Sequence, residues 1–465
     1  MWSPDLSAFS GPVYKAIAKA IAEDILSGAL EPGERLPTHR ALADTLDVTV
    51  GTITRGYAEA ERQNLVEARV GSGTYIREPR VTSQTFTIAD SEARQETLID
   101  LSYSVALSLN QEQDLAEELV DISRDQALMH RLLQYQPEYG MAHHRYAGKH
   151  WLQMTGFQDV DEQRILISNG GQHGFFTALL ALTQRGDTVL CDGLTYPGFI
   201  AAARQLGLRI IGLEMDAEGA TPEALELACQ RYQPRAIYLM PRLNNPTSRK
   251  MSTARIQSLA ALCRRHKVHV IEDDVQGCLT DTGHTTFTNV APDITTLVSS
   301  CSKALAGGLR VGFIYPPPES FSLIANALRV SCWMIAPLPT EVACRWIMSQ
   351  RAEQIIAAQR QELRERHRMV TKAFADYHYE ADNSAFNVWL HLPEQWRAAA
   401  FAESAAEVEV MVKPAELFAA GQYPAPQAVR LCVGGDMTRA QLQQGLQRLQ
   451  TLLQETPASS NERFD

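Results

Sequence analysis

The chain has 465 residues, of which 45% are hydrophobic and 21% charged, and its formal net charge is −11. This length predicts two or three domains, and the composition is typical of a globular protein with a large buried core. The acidic balance excludes a protein that is coated with nucleic acid, although a local basic surface would still be sufficient for DNA binding.

The cysteines and the N-terminus indicate the compartment. All eight cysteines lie between Cys191 and Cys432 without a C-x-x-C pair, which is typical of free thiols in a reducing cytosol and predicts neither a disulfide framework nor a metal site. No basic region followed by an apolar run marks a signal peptide, and no apolar stretch approaches the ~20 residues that cross a bilayer. We therefore expect a cytoplasmic protein with no membrane partner.

Residues 11–78 form the first predicted domain. Ile17, Ile21 and Ile25 recur every fourth residue, which places them on one face of a helix. Thr49 is a predicted N-cap for a later helix. The predicted elements are helices over 13–27, 38–46 and 49–64, followed by a hairpin over 65–76 around Gly71-Ser72-Gly73.

Three motifs in this domain carry a family resemblance: GALEPG at 28–33, LPTHRALA at 36–43 and RVGSGTYI at 69–76. With them, residues 14–76 resemble the GntR family of bacterial regulators. The resemblance implies an α+β winged helix-turn-helix that binds a double-stranded DNA operator through its third helix and its wing. The residues that it assigns to DNA are Arg40 and Thr49 on phosphate, Thr52 and Arg55 on the reading helix, and Ser72, Gly73 and Thr74 on the wing.

One position and the local charge balance leave an alternative open. The family often has Arg or Lys, which would contact a guanine, where this chain has Val50. DNA binding is still expected, but the base preferred in the operator stays open. Residues 11–80 contain nine Lys/Arg against ten Asp/Glu. The alternative is therefore a winged helix that docks on protein, because a fold alone does not determine a function.

After this domain, residues 79–98 are polar and weakly patterned, which predicts a linker. Residues 99–455 are predicted to form an α/β domain, a largely parallel sheet with helices on both faces, because short apolar runs alternate with helical stretches. A helical tract over 341–377 and a small α+β lobe are predicted next, and residues 456–465 are predicted to be a disordered tail. The predicted strands are 165–168, 189–191, 237–240, 268–271, 297–299 and 311–314 in the sheet, and 386–392, 408–412 and 429–433 in the lobe.

Lys303 follows one of these strands, and an acid and an asparagine precede it at intervals of one βα unit. Asp273 lies 28 residues after Asn245 and 30 residues before Lys303, so all three can reach the carboxyl edge of one sheet. A lysine amine and a carboxylate are what pyridoxal 5'-phosphate (PLP) requires, the first for a covalent link and the second for the pyridine nitrogen. Lys303 and Asp273 are therefore the predicted catalytic residues. Each alone would be an ordinary surface lysine or helix cap.

The other predicted cofactor contacts are a phosphate site and an aromatic cover. Gly171 and Gln172 open a helix after a strand, so their N–H groups can bind an anion, although a glycine pair alone is more often a plain turn. Hydroxyls of Ser300 and Ser302 and the guanidinium of Arg310 would complete the phosphate site. Tyr196 is a candidate for stacking on the cofactor ring, although alone it would be an ordinary core tyrosine. Asn245 is a candidate for donating to the ring hydroxyl, although an Asn-Pro pair alone only marks a turn.

Together these residues resemble the fold-type I aminotransferases over about residues 100–450. The resemblance assigns Arg430 to the carboxylate of an amino-acid ligand, a role that suits its fork of donors, while a surface arginine beside a strand is the alternative. A GntR-type winged helix joined to such a domain is the architecture of the MocR subfamily. The subfamily implies a head-to-tail homodimer with PLP near the subunit interface, in which a ligand at the cofactor changes DNA affinity.

The chain departs from the family at three positions. Val275 stands where a tyrosine that bonds the PLP hydroxyl is common, Ser248 where glycine is usual, and Gly307 where proline is common. The loss of the tyrosine favours sensing over turnover.

Three hypotheses follow from the sequence. The first is a PLP-dependent transcription regulator that senses an amino acid, an amine or PLP itself. The second is an active aminotransferase with an appended DNA-binding domain. The third is a constitutive DNA-binding protein in which PLP is only structural. The operator, the effector and the direction of regulation stay open.

Overall fold

The computed structural model describes residues 2–6, 9, 11–27, 29–31, 33–62, 65–69, 72–77, 98–281 and 283–455. Apart from Leu98, the predicted linker over 79–98 lies outside the described residues, as does the predicted tail over 456–465. Gly28, Pro32, Val70 and Gly71 of the N-terminal motifs lie outside them too. Among the helices that the structure describes, none is long and apolar enough to cross a membrane.

The N-terminal domain is a three-helix unit with a hairpin. Thr38 caps the second helix by accepting from the Ala41 N–H, and Asp47 ends that helix in the left-handed region at φ 52°. Gly56 lets the first and third helices approach closely, because a Cβ there would lie 3.0 Å from Ile17. The elements are α1 (Val13–Ser27), α2 (His39–Leu46), α3 (Val50–Arg62), β1 (Val66–Arg69) and β2 (Gly73–Ile76).

The larger domain is built on a seven-stranded sheet. Its strands, with three short outlying ones, are β3 (Ile99–Asp100), β4 (Leu166–Ser168), β5 (Thr188–Asp192), β6 (Arg209–Leu213), β7 (Met215–Asp216), β8 (Gly219–Ala220), β9 (Ala236–Leu239), β10 (His269–Asp273), β11 (Thr295–Ser300) and β12 (Gly312–Tyr315). The sheet order is β4-β12-β11-β10-β9-β5-β6, and only β12 runs antiparallel to its neighbours. The predicted α/β fold class is confirmed. The edge strand β6 was not predicted, because it begins with exposed Arg209.

The helices of this domain are α4 (Gln111–Arg124), α5 (Gln126–Leu132), α6 (Ala142–Met154), α7 (Gly170–Leu182), α8 (Pro197–Gln205), α9 (Pro222–Tyr232), α10 (Thr253–His266), α11 (Phe287–Val290), α12 (Pro318–Cys332), α13 (Pro337–Met348), α14 (Arg351–Ala373), α15 (Ala398–Glu407) and α16 (Arg439–Gln454). The single helical tract predicted over 341–377 is two helices. Gln350 breaks it in the left-handed region at φ 64°, and no glycine or proline signals this break in the sequence.

A smaller antiparallel sheet completes the fold, with the strand order β13-β14-β17-β16. Its strands are β13 (Tyr379–Ala381), β14 (Asn387–His391), β16 (Lys413–Pro414) and β17 (Ala428–Cys432), and β15 (Val410–Met411) pairs instead with β3. Arg430 is directly opposite both Trp389 and Lys413, so these three side chains share one face. The segment after β3 runs along β17, where the Cys432 N–H donates to the Leu101 carbonyl at 2.8 Å.

Candidate functional site

Asp273 ends β10 and is buried at the carboxyl edge of the sheet. Tyr238 Oη on β9 donates to one carboxylate oxygen, and the Val275 N–H donates to the other at 3.0 Å. Burial raises the pKa of Asp273 to about 6, although these two hydrogen bonds and the positive field of Lys303 oppose the shift. The carboxylate is thus fixed in orientation and favours a cationic partner, which a protonated pyridine nitrogen would be.

Lys303 lies in the turn after β11, and its Nζ donates to the Ser104 carbonyl. Burial lowers the pKa of Lys303 to about 8, and the field of Arg430 acts in the same direction. At neutral pH such an amine is neutral in a much larger fraction of molecules than an ordinary lysine is. Because only the neutral amine can attack an aldehyde, this environment suits a lysine that binds PLP covalently.

The predicted phosphate site brings two hydroxyls and a guanidinium together. Ser300 Oγ lies 2.9 Å from Ser302 Oγ and accepts from the Ser302 N–H at 3.1 Å. Arg310 Nη1 lies 3.4 Å from Ser302 Oγ, and Arg310 Nη2 donates to the Asn169 carbonyl at 3.0 Å. These are donors of the kind that bind a phosphate dianion.

The first turn of α7 closes the same site, and its first two positions leave no room for a side chain. Gly170 has φ +74°, and a Cβ on it would lie 2.7 Å from Arg310 Nη2. A Cβ on Gly171 would lie 2.3 Å from the side chain of Val275. Asn169 makes no side-chain cap, so the first N–H groups of α7 are left for an anion. The residues present therefore fit PLP.

The two remaining predicted cofactor contacts are Tyr196 and Asn245. Tyr196 precedes α8 and donates to Gln172 Oε1 at 3.1 Å, and burial raises its pKa to about 12, which keeps the phenol neutral. Asn245 is buried, and its Oδ1 accepts from Arg430 Nη1 at 2.9 Å. The structure thus places Asn245 beside the predicted ligand arginine.

Arg430 on β17 is 6% exposed and has no carboxylate partner among the described residues. Its Nη2 donates to the Ser102 carbonyl at 2.6 Å, and its Cζ lies 4.8 Å from the Phe418 ring centroid. Its Nε is buried without a hydrogen-bond partner. A buried cation without a counter-charge is unfavourable, and an anionic ligand would remove that penalty.

Several neighbours of the site were not predicted from the sequence. Tyr238 was an unmarked residue of an apolar strand, and the carbonyls of Ser102 and Ser104 carry no side-chain signal. Asp274, adjacent to Asp273, forms a fully buried ion pair with Arg242, whose Nε donates to Asp274 Oδ1 at 2.6 Å. This pair distinguishes the two acids, since Arg242 holds Asp274 whereas the field of Lys303 acts on Asp273.

The three departures from the family pattern have local explanations. Ser248 adopts φ 61°, a conformation that favours the usual glycine, and its Oγ donates to the Asn387 carbonyl at 3.0 Å. Val275 lies against Gly171 as described, and the next residue, Gln276, has a buried Oε1 without a partner. Gly307 begins a short 3-10 turn that leads to Arg310.

On the N-terminal domain, the predicted DNA residues of the helices lie at the surface. Arg40 on α2 and Arg55 on α3 are exposed and form no ion pair with any residue in the described ranges. Thr49 Oγ1 accepts from the Thr52 N–H at 3.2 Å, which caps α3, and the two hydroxyls lie 2.9 Å apart. The arginines are therefore available to phosphate.

The wing presents the remaining predicted DNA residues. Ser72 is exposed, and its Oγ lies 2.7 Å from Tyr75 Oη. Gly73 has φ +122°, and a Cβ there would lie 2.9 Å from Arg35 Nε. Thr74 is half-buried on β2. Arg35, which the sequence did not single out, thus adds a cation beside the wing.

One cluster of potential metal ligands lies outside both regions, although the sequence predicted no metal site. Nitrogen atoms of His143 and His144 and an oxygen of Glu341 lie within 4.8 Å of one another. Both imidazoles lie within hydrogen-bond distance of Glu341 Oε2, at 2.7 and 2.9 Å, and Arg345 Nε donates to Oε1 at 2.8 Å. The two histidine contacts join α6 to α13, whereas the Arg345 bond lies within α13.

The fold and the site define a DNA-binding winged helix joined to a PLP-dependent aminotransferase domain. Residues 13–76 match the family of bacterial regulatory proteins of the gntR type, and residues 96–449 match aminotransferase class I and II. The chain therefore belongs to the class I and II aminotransferase family and, with its GntR domain, to the MocR-like transcription regulators. PLP is the cofactor of this domain, and DNA is the partner of the winged helix.

Relatives of the whole chain support this assignment. The chain is 30% identical over 452 residues to the uncharacterized HTH-type transcriptional regulator YdeF of Bacillus subtilis, covering 97% of this chain and 96% of that protein. It is 26% identical to YjiR of Escherichia coli, another uncharacterized HTH-type transcriptional regulator, over 88% of this chain and 93% of that one.

Solved structures resemble the larger domain. An archaeal alanine:glyoxylate aminotransferase superposes with a TM-score of 0.71 at 19% identity, covering 78% of this chain and 91% of that one. The α-aminoadipate aminotransferase LysN of Thermus thermophilus, in complex with N-(5'-phosphopyridoxyl)-L-leucine, has a TM-score of 0.69 at 22% identity, covering 77% and 92%. At these identities the likeness establishes the fold alone.

Proposed function

We propose that this regulator senses an amino acid through its PLP domain and changes its DNA affinity in response. In this proposal Lys303 binds the cofactor covalently. Asp273 binds its ring nitrogen. Ser300, Ser302 and Arg310 bind the phosphate together with the Gly171 and Gln172 N–H groups. Tyr196 covers the ring, and Asn245 bonds its hydroxyl.

The observation that carries the proposal is the state of Arg430. Its guanidinium is buried, has no carboxylate partner among the described residues, and keeps an unpaired Nε. Arginine binds carboxylates through two parallel hydrogen bonds, so an α-carboxylate would satisfy donors that the protein leaves unmatched. Because Arg430 also donates to Ser102 and Asn245, a bound carboxylate would compete with both contacts.

The protein is proposed to act as a head-to-tail homodimer. An apolar surface on the described chain supports this, since Leu133, Tyr135, Val330 and Trp333 are 80%, 85%, 75% and 61% exposed. Tyr135 and Trp333 pack edge to face at 6.2 Å, and the Gln136 N–H lies 3.0 Å from Met334 Sδ, which joins the two segments. Exposed aromatic patches of this kind are typical of protein interfaces.

The decisive experiment compares the wild-type holoprotein with Lys303→Ala on a DNA duplex selected by the protein from a randomised pool. DNA affinity is measured by fluorescence anisotropy with and without each of the common L-amino acids. We expect at least one amino acid to change the wild-type affinity and none to change that of Lys303→Ala, with DNA binding retained. An unchanged response in Lys303→Ala would contradict sensing through this lysine.

The second candidate is an aminotransferase with an appended DNA-binding domain. The lowered pKa of Lys303 and the buried carboxylate of Asp273 favour it, because both groups are suited to proton transfer on a bound cofactor. A keto-acid assay with an amino donor and a keto-acid acceptor tests this candidate. Product in large excess over protein would favour the enzyme, and at most one equivalent per site would favour the sensor.

A further inference from the structure

Lys413 is a second cation beside Arg430. It lies on β16 directly opposite Arg430 on β17, so both side chains leave the same face of the small sheet. Its side chain is half-buried, and its Nζ lies 5.2 Å from the Tyr103 ring centroid. Like Arg430, it forms no ion pair with the residues that the structure describes.

The acid whose field acts on Lys413 is Asp100, which is hydrogen-bonded to Ser102. Asp100 Oδ1 accepts from the Ser102 N–H at 2.9 Å and from the Ser102 hydroxyl at 2.6 Å. Burial lowers the pKa of Lys413, and the field of Arg430 lowers it further, while that of Asp100 raises it. Two cations therefore lie side by side on one face, an arrangement that like charges disfavour unless an anion is present.

The two head groups are directed at different partners. The Arg430 guanidinium lies over Phe418, whereas the Lys413 ammonium lies over Tyr103. Tyr103 stands between Ser102 and Ser104, whose carbonyls accept from Arg430 and Lys303 respectively. A ligand that joins Lys303 and Arg430 would therefore pass beside Tyr103 and Lys413.

We propose that Lys413 determines effector specificity by binding a second acidic group, so that the effector is an acidic amino acid with two carboxylates. The inference depends on the proposed function, in which Arg430 binds the α-carboxylate. Arg430 then binds the α-carboxylate and Lys413 the second carboxylate. A ligand with an amide in place of the second carboxylate leaves Lys413 without an anionic partner.

The experiment uses isosteric ligand pairs that differ in that one charge. Binding of L-glutamate against L-glutamine, and of L-aspartate against L-asparagine, is measured on the wild-type holoprotein by isothermal titration calorimetry. We expect one of the two acids to bind at least about tenfold more tightly than its amide, because close opposite charges couple by more than 1.4 kcal/mol. Equal binding of acid and amide in both pairs would overturn the inference.

Two variants then test Lys413 itself. Lys413→Met should remove the preference by weakening the acid alone, and Lys413→Arg should keep most of it, since the charge remains. Loss of acid and amide affinity to the same extent in Lys413→Met would mean that Lys413 acts on the shared α-carboxylate, which contradicts the proposal. A preference that persists in Lys413→Met would contradict it as well.

The outcomes separate this inference from the proposed function. If neutral amino acids bind, Arg430→Met weakens their binding and neither acid is preferred over its amide, then only the role of Lys413 is wrong. If no amino acid of any charge binds the wild-type holoprotein, the proposed sensing is wrong and this inference fails with it. The wild-type comparison needs no variant, so it stands even if Lys413→Met does not fold.

Discussion

The winged helix and the proposed ligand site both present cations that form no ion pair among the described residues, but in different environments. Arg40 and Arg55 are exposed to water, whereas Arg430 is buried and Lys413 half-buried. Water solvates an exposed guanidinium, so leaving it without a partner has little effect on stability. A buried guanidinium has lost that solvation, so the absence of a carboxylate partner destabilises the folded protein.

This difference separates two ways of recognising an anion. The exposed arginines would bind the DNA backbone by releasing its counterions, which gives an affinity that depends strongly on salt. Buried Arg430 and half-buried Lys413 would bind the carboxylates of a small ligand in a site of lower dielectric, where screening by salt is weaker. Arg242 provides the reference within the same domain, because it is equally buried but paired with Asp274.

The largest effect is expected for that reference pair. Arg242→Met leaves the Asp274 carboxylate buried without its partner, and we expect the free energy of unfolding to fall by about 3–5 kcal/mol. The measurement is urea-induced unfolding followed by circular dichroism. Arg264→Met is the matched control, since its pair with Asp293 is exposed and should contribute at most about 1 kcal/mol. Equal losses in the two variants would remove the distinction between buried and exposed pairs.

A smaller loss of stability is expected for Arg430→Met in the absence of ligand. No carboxylate is left behind, and only the Ser102 carbonyl and Asn245 Oδ1 lose a donor, so the free energy of unfolding should fall less than in Arg242→Met. The affinity for α-amino acids should fall by about 2–5 kcal/mol, through loss of the carboxylate contact. Thermal melting and calorimetry of the same preparations measure both quantities. A strongly destabilised Arg430→Met with normal ligand affinity would show that the arginine is structural.

A smaller effect is expected at the winged helix. Arg40→Ala should reduce DNA affinity to a similar degree on every sequence and reduce the slope of log K against log salt by about 1. Anisotropy titrations at several salt concentrations measure this slope. Arg368→Ala removes an exposed arginine of α14 and serves as the control, for which no change is expected. An unchanged slope in Arg40→Ala would remove this residue from the DNA contacts.

The winged helix and the ligand site also differ in how much of each could be predicted from the sequence. The winged helix was predictable because its signals are local, such as the spacing of Ile17, Ile21 and Ile25 and the cap at Thr49. Lys303 and Asp273 were candidates because each follows a strand end, which a short window of sequence indicates. Their assigned roles, like the domain boundaries, remain predictions.

The rest of the ligand site depends on contacts between distant parts of the chain. The Ser104 carbonyl and Lys303 are 199 positions apart, and the Ser102 carbonyl and Arg430 are 328 apart. Backbone acceptors have no residue type that marks them, and the adjacent acids Asp273 and Asp274 differ only through Arg242. Such features follow from the folded topology rather than from any local pattern.

The smallest effect is a change in pH dependence. Burial lowers the pKa of Lys303 to about 8, so the neutral amine increases as pH rises through 8, and the rate of PLP incorporation into the apoprotein should rise with it. Stopped-flow absorbance gives the midpoint. The field of Arg430 lowers this pKa and that of Asp273 raises it, so the midpoint should move upward in Arg430→Met and downward in Asp273→Asn. Arg40→Ala should leave it in place, because an exposed cation on the winged helix does not share the environment of Lys303. A midpoint near 10 in the wild type would mean that the lysine is solvated like those at the surface, and the contrast between the two regions would then not extend to Lys303.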